Sequence, residues 1–189
     1  STEDLDDDND TIIDSLDSCY RGDLSWISSS VTDHDADGCQ DSNEDLDDDE
    51  DTILDTSDSC YRGNLNWTSD SNTDYDRDGC EDNSPEDLDD DNDAIYDLDD
   101  SCHKGDLNWV STPLTDHDSD GCRDNSVEDN DDDNDLILDV SDSCYRGDLN
   151  WTSNSTTDYD TDGCQDSLED QDDDNDSIDD EQDDCYRGD

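Results

Sequence analysis

Apolar residues are sparse along this chain and never recur at helical spacing. They occur as short clusters, such as Ile12-Ile13 and Ile53-Leu54, between long runs of Asp, Ser, Thr and Asn. Without a sustained 3.6-residue period, and with helix-breaking residues throughout, the pattern predicts few or no helices. A recurring Leu-x-Trp predicts at most a short extended piece at Leu24 to Trp26, Leu65 to Trp67, Leu107 to Trp109 and Leu149 to Trp151.

The composition argues against one hydrophobic core for the whole chain. Only 25% of the 189 residues are hydrophobic, and 67 acidic residues against 7 basic ones give a net charge of −60. Such chains normally stay disordered unless something other than apolar burial holds them. The charge also excludes nucleic acid and disfavours anionic membranes, and no apolar run is long enough for membrane insertion.

The chain is an internal repeat. The dipeptide Glu-Asp recurs every 41 or 42 residues, first at Glu3-Asp4 and last at Glu169-Asp170. This period predicts four repeats, residues 1–43, 44–85, 86–127 and 128–168, and a partial fifth repeat at 169–189. Because the fifth repeat is incomplete, we expect the chain to be a fragment of a longer array without capping repeats.

The first regular acidic pattern lies in the second half of each repeat. Starting at Asp33, acids occupy positions 1, 3, 5, 9 and 12 of a calcium loop of EF-hand type, and Gly38 occupies position 6. Alternate carboxylates converge on one cation, Gly permits the sharp turn, and position 7 offers a backbone carbonyl. The candidate ligands of these first-type loops are Asp33, Asp35, Asp37, Asp41 and Glu44; Asp74, Asp76, Asp78 and Asp82; Asp116, Asp118, Asp120 and Asp124; and Asp158, Asp160, Asp162, Asp166 and Glu169. In the second and third copies the closing acid comes one residue late, at Glu86 and Glu128.

A second pattern with the same spacing lies in the first half of each repeat. Position 6 is Thr, Thr, Ala, Leu or Ser instead of Gly, which predicts either strain or a different turn. Position 7 is always Ile, as expected for an inward carbonyl with an outward apolar side chain. The candidate ligands of these second-type loops are Asp6, Asp8, Asp10, Asp14 and Asp17; Asp47, Asp49, Asp51, Asp55 and Asp58; Asp89, Asp91, Asp93, Asp97 and Asp100; Asp131, Asp133, Asp135, Asp139 and Asp142; and Asp172, Asp174, Asp176, Asp180 and Asp183.

These patterns indicate calcium rather than a solvated acidic surface. A random acidic tract would not keep the twelve-residue ligand register nine times. Magnesium is less suitable, because it prefers few carboxylates and several waters. We therefore expect Ca²⁺ as the cofactor, about two ions per repeat.

Nine regularly spaced cysteines predict disulfides and an extracellular or cell-surface location. Two schemes are open: one pairs cysteines 20 positions apart, and the other pairs them 21 or 22 apart. Constant loop length favours the first, in which Cys185 has no partner within the chain. Its pairs are Cys19–Cys39, Cys60–Cys80, Cys102–Cys122 and Cys144–Cys164.

The alternation of "DHDADGCQD" with "DLDDDEDTILDTSDSC" resembles thrombospondin type 3 repeats, and also the Asp-rich cysteine repeats of microbial surface proteins. The resemblance implies a helix-free chain wrapped around calcium ions and stapled by disulfides. The chain departs from the thrombospondin pattern in having Cys39 directly after Gly38 and "YRGDLSW" after the other cysteine. The expected fold is thus irregular, with tandem calcium- and disulfide-stabilised repeats forming an extended rod or fibre.

The segment after the first cysteine of each repeat carries most of the basic residues. Arg21, its copies and Lys104 predict a turn whose cation pairs with surplus carboxylates or stacks on Trp; three copies also spell RGD, typical of adhesion. Leu24, Trp26 and the position-7 Ile predict a small core in each repeat. Candidate glycosylation sites are Asn66, Asn150 and Asn154.

Together these patterns predict an extracellular structural protein, a calcium-stiffened rod or filament of tandem repeats that self-associates and carries glycans. Two alternatives stay open: a calcium-dependent adhesion or ligand-binding stalk, and an acidic mineral-nucleating or calcium-buffering protein. We do not expect an enzyme, because nothing resembles a nucleophile with its base.

Overall fold

Residues 4–188 fold without helices or strands. In the computed structural model, which describes residues 4–188, turns and bends follow one another, and no α-helix or β-strand occurs in that range. The expected irregular fold, with disulfides and Asp clusters repeating about every 42 residues, is confirmed. The rod or fibre shape and the repeat boundaries stay predictions. The chain divides into two compact units, Ser1–Asp90 and Asp91–Asp189. No helix in the described range could cross a membrane.

Carboxylates occupy the interior positions that apolar side chains fill in ordinary proteins. The most buried side chains are all aspartates, and Asp10, Asp51, Asp74 and Asp116 are 0% exposed. Leu98, in contrast, is 97% exposed. Buried carboxylates cannot stay ionised next to one another unless cations or hydrogen bonds compensate their charge. The fold therefore depends on what surrounds these carboxylates rather than on apolar contacts.

Position 6 has a similar positive φ in both loop types. Gly38, at position 6 of a first-type loop, has φ +92°, and Thr11, at position 6 of a second-type loop, has φ +91°. The other second-type copies also have positive φ, from 75° at Ser177 to 86° at Thr52. The second-type loops, which lack glycine at position 6, therefore contain a strained residue there and not a different turn. A side chain at positive φ costs roughly 1–2 kcal/mol.

Disulfides and serines join the two loops of one repeat. The structure contains the first pairing scheme, with Cys19–Cys39 and three further bridges, each 20 positions apart, and Cys185 is an exposed free cysteine. The Ser28 backbone nitrogen donates to the carbonyl of Asp10, and its hydroxyl donates to Asp33 Oδ2 at 2.5 Å. Ser69, Ser111 and Ser153 make the same two contacts in the other repeats. One loop is therefore positioned by the other.

The Leu-x-Trp segment differs from the expected extended piece. Its central residue lies in the left-handed region, at φ +77° for Ser25 and +69° for Asn66, so the segment is a bend. The Trp26 indole nitrogen donates to the carbonyl of Asp23 at 2.8 Å, which closes the bend. The predicted small core forms only in part: Leu24 is 69% exposed, whereas Leu65, Leu107 and Leu149 are 38%, 36% and 38% exposed. Of the tryptophans in residues 4–188, Trp109 alone is buried. Trp67 makes the equivalent bond to the carbonyl of Asn64, whereas the indole nitrogens of Trp109 and Trp151 are buried without a hydrogen-bond partner.

Candidate metal centres

The second-type loops bring their first three acids together. In the first copy, Asp6, Asp8 and Asp10 place carboxylate oxygens within 4.8 Å of one another, and Asp47, Asp49 and Asp51 do the same in the next. Asp10 Oδ1 accepts a hydrogen bond from the Ile12 nitrogen at 2.7 Å, while the buried Oδ2 has no hydrogen-bond partner. An orphaned buried carboxylate oxygen among other carboxylates is a metal-ligand geometry.

Position 12 of the second-type loop faces the same cluster. Asp17 is 8% exposed, and its Oδ1 accepts from the Cys19 nitrogen at 2.7 Å. Its Oδ2 is buried without a hydrogen-bond partner. The carboxylate also lies directly against the α-carbon of Gly38, so closely that no β-carbon would fit there. Gly38 thus avoids the strain that Thr11 carries at a similar φ, and the absence of a β-carbon permits the approach of an acid from the other loop.

The first-type loops have a similar triad, which accepts hydrogen bonds from backbone nitrogens of the same loop. Asp33, Asp35 and Asp37 place oxygens within 4.8 Å of one another. Asp33 is 1% exposed and accepts from the nitrogens of Asp37 and Gly38. Asp35 Oδ2 is buried without a hydrogen-bond partner. The acid at position 9, Asp41, accepts from the His34 nitrogen at 3.1 Å and ties the loop end to its start.

Glutamates at the repeat boundaries accept hydrogen bonds from backbone nitrogens of the preceding repeat. Their spacing in the sequence did not reveal this role. Glu44 Oε2 accepts from the Asp23 nitrogen at 2.8 Å, and Oε1 accepts from the Gln40 nitrogen at 3.1 Å. Glu86, Glu128 and Glu169 make the equivalent pair of bonds. The ligand role of Glu44 and Glu169 stays a prediction. Glu86 and Glu128 keep this pair of hydrogen bonds although they lie one residue later in the loop register.

The basic residue of the Tyr-Arg-Gly turn contacts carboxylates, as expected. Arg21 Nε lies 3.0 Å from Asp7 Oδ2, and Arg62 Nε lies 2.9 Å from Asp48 Oδ2. The guanidinium stacks on the preceding tyrosine rather than on tryptophan, with Arg21 5.1 Å from the Tyr20 ring. In the RGD triplet at residues 21–23 the arginine is therefore ion-paired, and the aspartate contributes its backbone nitrogen to a neighbouring repeat.

Burial and crowding raise the pKa of several loop carboxyls. Burial, together with Asp49 and Asp51, raises the pKa of Asp58 to about 7. Burial and the neighbouring carboxylate of Asp37 raise the pKa of Asp35 to about 7. Removing these groups from water disfavours their charged form, and a bound cation would favour it again.

The sequon asparagines lie on the surface. Asn66 and Asn150 are exposed and have φ +69° and +67°. Asn154 is exposed too, and its amide donates to the carbonyl of Thr152 at 2.9 Å. Glycosylation at these sites stays a prediction.

The donor set fits a hard divalent cation. Residues 4–188 contain thirteen groups of three or more acidic, His or Cys side chains whose potential ligand atoms lie within 4.8 Å of one another. The groups described above consist of carboxylates alone. Oxygen ligands without thiolate or imidazole suit Ca²⁺, Mg²⁺ or Mn²⁺ rather than zinc. Four disulfides indicate an oxidising compartment.

The chain is thus an Asp-rich tandem-repeat protein with periodic disulfides and acidic clusters that could hold metal ions. Comparison with known proteins gives no match to any family model or to any curated protein sequence.

Proposed function

We propose that this chain is an extracellular structural protein, a rod or filament of tandem repeats of the thrombospondin type 3 kind that calcium ions stiffen. One observation carries the proposal: most of the buried side chains are carboxylates, and many of these have an oxygen without a hydrogen-bond partner. Asp10, Asp51 and Asp135 are 0% exposed, and each has an Oδ2 without a hydrogen-bond partner. Nine such loops would bind nine Ca²⁺ ions, which lower the net charge from −60 to −42.

Contacts between consecutive repeats support the structural role. Within residues 1–90, Glu44 and Glu86 each accept from a backbone nitrogen of the preceding repeat, 21 and 22 positions earlier. Within residues 91–189, Glu128 and Glu169 do the same. Arrays whose repeats contact mainly their neighbours can extend without limit, which suits a rod or filament. A calcium buffer would need only charge, and it would need neither these contacts nor disulfides of constant span.

The test is amide hydrogen exchange of the intact chain in calcium, in chelator and in magnesium. With calcium we expect protection throughout the loops; chelation should abolish it cooperatively, since apolar packing contributes little. Magnesium at equal concentration should restore it only in part. The variant Asp51→Asn should lose protection locally, whereas Asp99→Asn should not, because Asp99 is exposed and lies outside both registers. Equal protection with and without calcium would overturn the proposal.

Electron microscopy of the native material tests the filament itself. We expect long particles whose length grows with the number of repeats and whose outline collapses in chelator. Compact particles with unchanged dimensions in chelator would contradict a calcium-stiffened rod.

A further inference from the structure

A third kind of acidic group lies where a first-type loop runs into the second-type loop of the next repeat. We call it the junction cluster, and its first copy is Asp41, Asp45 and Asp48. The carboxylate oxygens that these residues offer lie within 4.8 Å of one another. Asp45 and Asp48 belong to neither loop register. Their function is therefore not explained by the nine loop sites.

Asp48 provides a second and independent observation. Its side chain is 2% exposed, and Oδ1 is buried without a hydrogen-bond partner. Oδ2 of the same carboxylate accepts from Arg62 Nε at 2.9 Å. The carboxylate of Asp45 also has one bonded and one unbonded oxygen. Its Oδ1 accepts from the nitrogens of Leu46 and Asp47, while Oδ2 is buried without a hydrogen-bond partner. Two orphaned oxygens from neighbouring carboxylates thus belong to one cluster, a costly arrangement without a cation.

The arrangement recurs in other repeats. Asp132 is 2% exposed, with Oδ1 unpartnered and Oδ2 bonded to Arg146 Nε at 2.9 Å. Asp173 is 3% exposed, with Oδ1 unpartnered and Oδ2 bonded to Arg187 Nε at 3.2 Å. Recurrence at three junctions with different flanking residues indicates a feature of the repeat rather than an accident of one loop.

The arginine alone does not balance the cluster. Arg62 brings one positive charge to three carboxylates, and it contacts Oδ2 of Asp41 at 2.5 Å and Oδ2 of Asp48 at 2.9 Å. Two negative charges and the orphaned oxygens remain. A divalent cation would neutralise both charges, and the guanidinium would then orient the carboxylates from outside, as outer partners of metal ligands commonly do.

We propose that each junction cluster binds a further divalent cation of the calcium class, shared between consecutive repeats. The four sites comprise Asp41, Asp45 and Asp48; Asp82, Asp87 and Asp90; Asp124, Asp129 and Asp132; and Asp166, Asp170 and Asp173. This inference rests on the proposed calcium-bound state of the loops. It raises the number of bound ions from nine to thirteen, which equals the number of ligand groups in the described chain.

Native mass spectrometry of the calcium-loaded chain counts the ions directly. We expect thirteen ions in the parent chain and twelve in Asp48→Asn, whose amide oxygen can still accept from Arg62. The control Asp99→Asn removes one equally negative but exposed carboxylate and should keep thirteen ions. If Asp48→Asn does not fold, as judged by near-ultraviolet circular dichroism, Asp45→Asn serves instead, because its amide oxygen keeps both backbone hydrogen bonds.

The outcomes separate this inference from the proposed function. Nine ions in the parent, unchanged by Asp48→Asn, would overturn the junction site while leaving the calcium-stiffened rod intact. An equal loss in Asp48→Asn and Asp99→Asn would show diffuse counter-ion binding and would also overturn it. A chain that retains no calcium would overturn both proposals.

Discussion

The carboxylate of Glu169 accepts a hydrogen bond at 3.0 Å from the backbone nitrogen of Asp148, 21 positions earlier in the preceding repeat. The same carboxylate lies against Gly147, where a β-carbon would meet Oε1 at 2.6 Å. The glycine of the Arg-Gly-Asp triplet is therefore fixed by a contact between repeats, while the side chain of the aspartate is not used in it.

The variant Gly147→Ala should therefore destabilise the array. The added methyl group would collide with Glu169 and with the carbonyl of Cys144, and we expect a loss of about 1–3 kcal/mol in the free energy of unfolding. Asp148→Asn is the matched control, because Asn64 occupies the equivalent position in the second repeat and donates its backbone nitrogen in the same way. Calcium-loaded thermal melts measure both, and similar losses for the two variants would contradict this role of the glycine.

Position 6 of the two loop types gives a pair of opposite predictions. Gly79 has φ +89° and lies against the Asp58 carboxylate, so Gly79→Ala should cost about 1–3 kcal/mol. Ala94 has φ +82° without being glycine, so Ala94→Gly should relieve strain and raise stability by up to about 1 kcal/mol. Denaturant unfolding in saturating calcium measures the change in the free energy of unfolding for both variants. A stability loss for Ala94→Gly as large as that for Gly79→Ala would refute the strain interpretation.

The sequence predicted those parts of the structure that follow from exact spacing. Alternate acids such as Asp33, Asp35 and Asp37 converge because the loop register fixes them, and the 20-residue spacing of Cys19 and Cys39 selected the disulfide scheme. The absence of helical periodicity was also sufficient to predict the lack of helices in residues 4–188.

Contacts between distant loops were not predictable in this way. Glu44 was assigned to a ligand position by spacing, but its hydrogen bonds to Asp23 and Gln40 depend on how two repeats meet. The Leu-x-Trp bend was missed because its turn is closed by Trp26 on a backbone carbonyl, which no apolar pattern signals. A usable signal was present in the constancy of Glu-Asp across five repeats, although the loop position of the Glu shifts by one.

The disulfides should stabilise each loop pair by restricting the conformational freedom of the unfolded chain. Replacing Cys60 and Cys80 together by Ala removes a bridge that closes a 20-position span, and we expect the free energy of unfolding to fall by about 3 kcal/mol. Cys185→Ala is the control, because Cys185 is exposed and forms no disulfide in the described chain. Chemical denaturation in calcium distinguishes the two. Equal stability of the double variant and the control would show that calcium alone holds the loop pair.

The pH dependence of order should change sign when calcium is added. Burial raises the pKa of Asp58, Asp100 and Asp142, which close three second-type loops, to about 7 from 3.8. Between about pH 4 and 7, the folded calcium-depleted protein therefore keeps protons on these carboxyls that the unfolded chain has released. The contribution of the three carboxyls to stability is full below about pH 4 and is lost as the pH rises through 7. Calcium needs the ionised carboxylates, so in its presence order should increase over the same interval. Near-ultraviolet circular dichroism of the tryptophans between pH 4 and 8, in calcium-depleted and calcium-loaded protein, measures both trends. Parallel curves in the two conditions would mean that these carboxyls do not meet the metal.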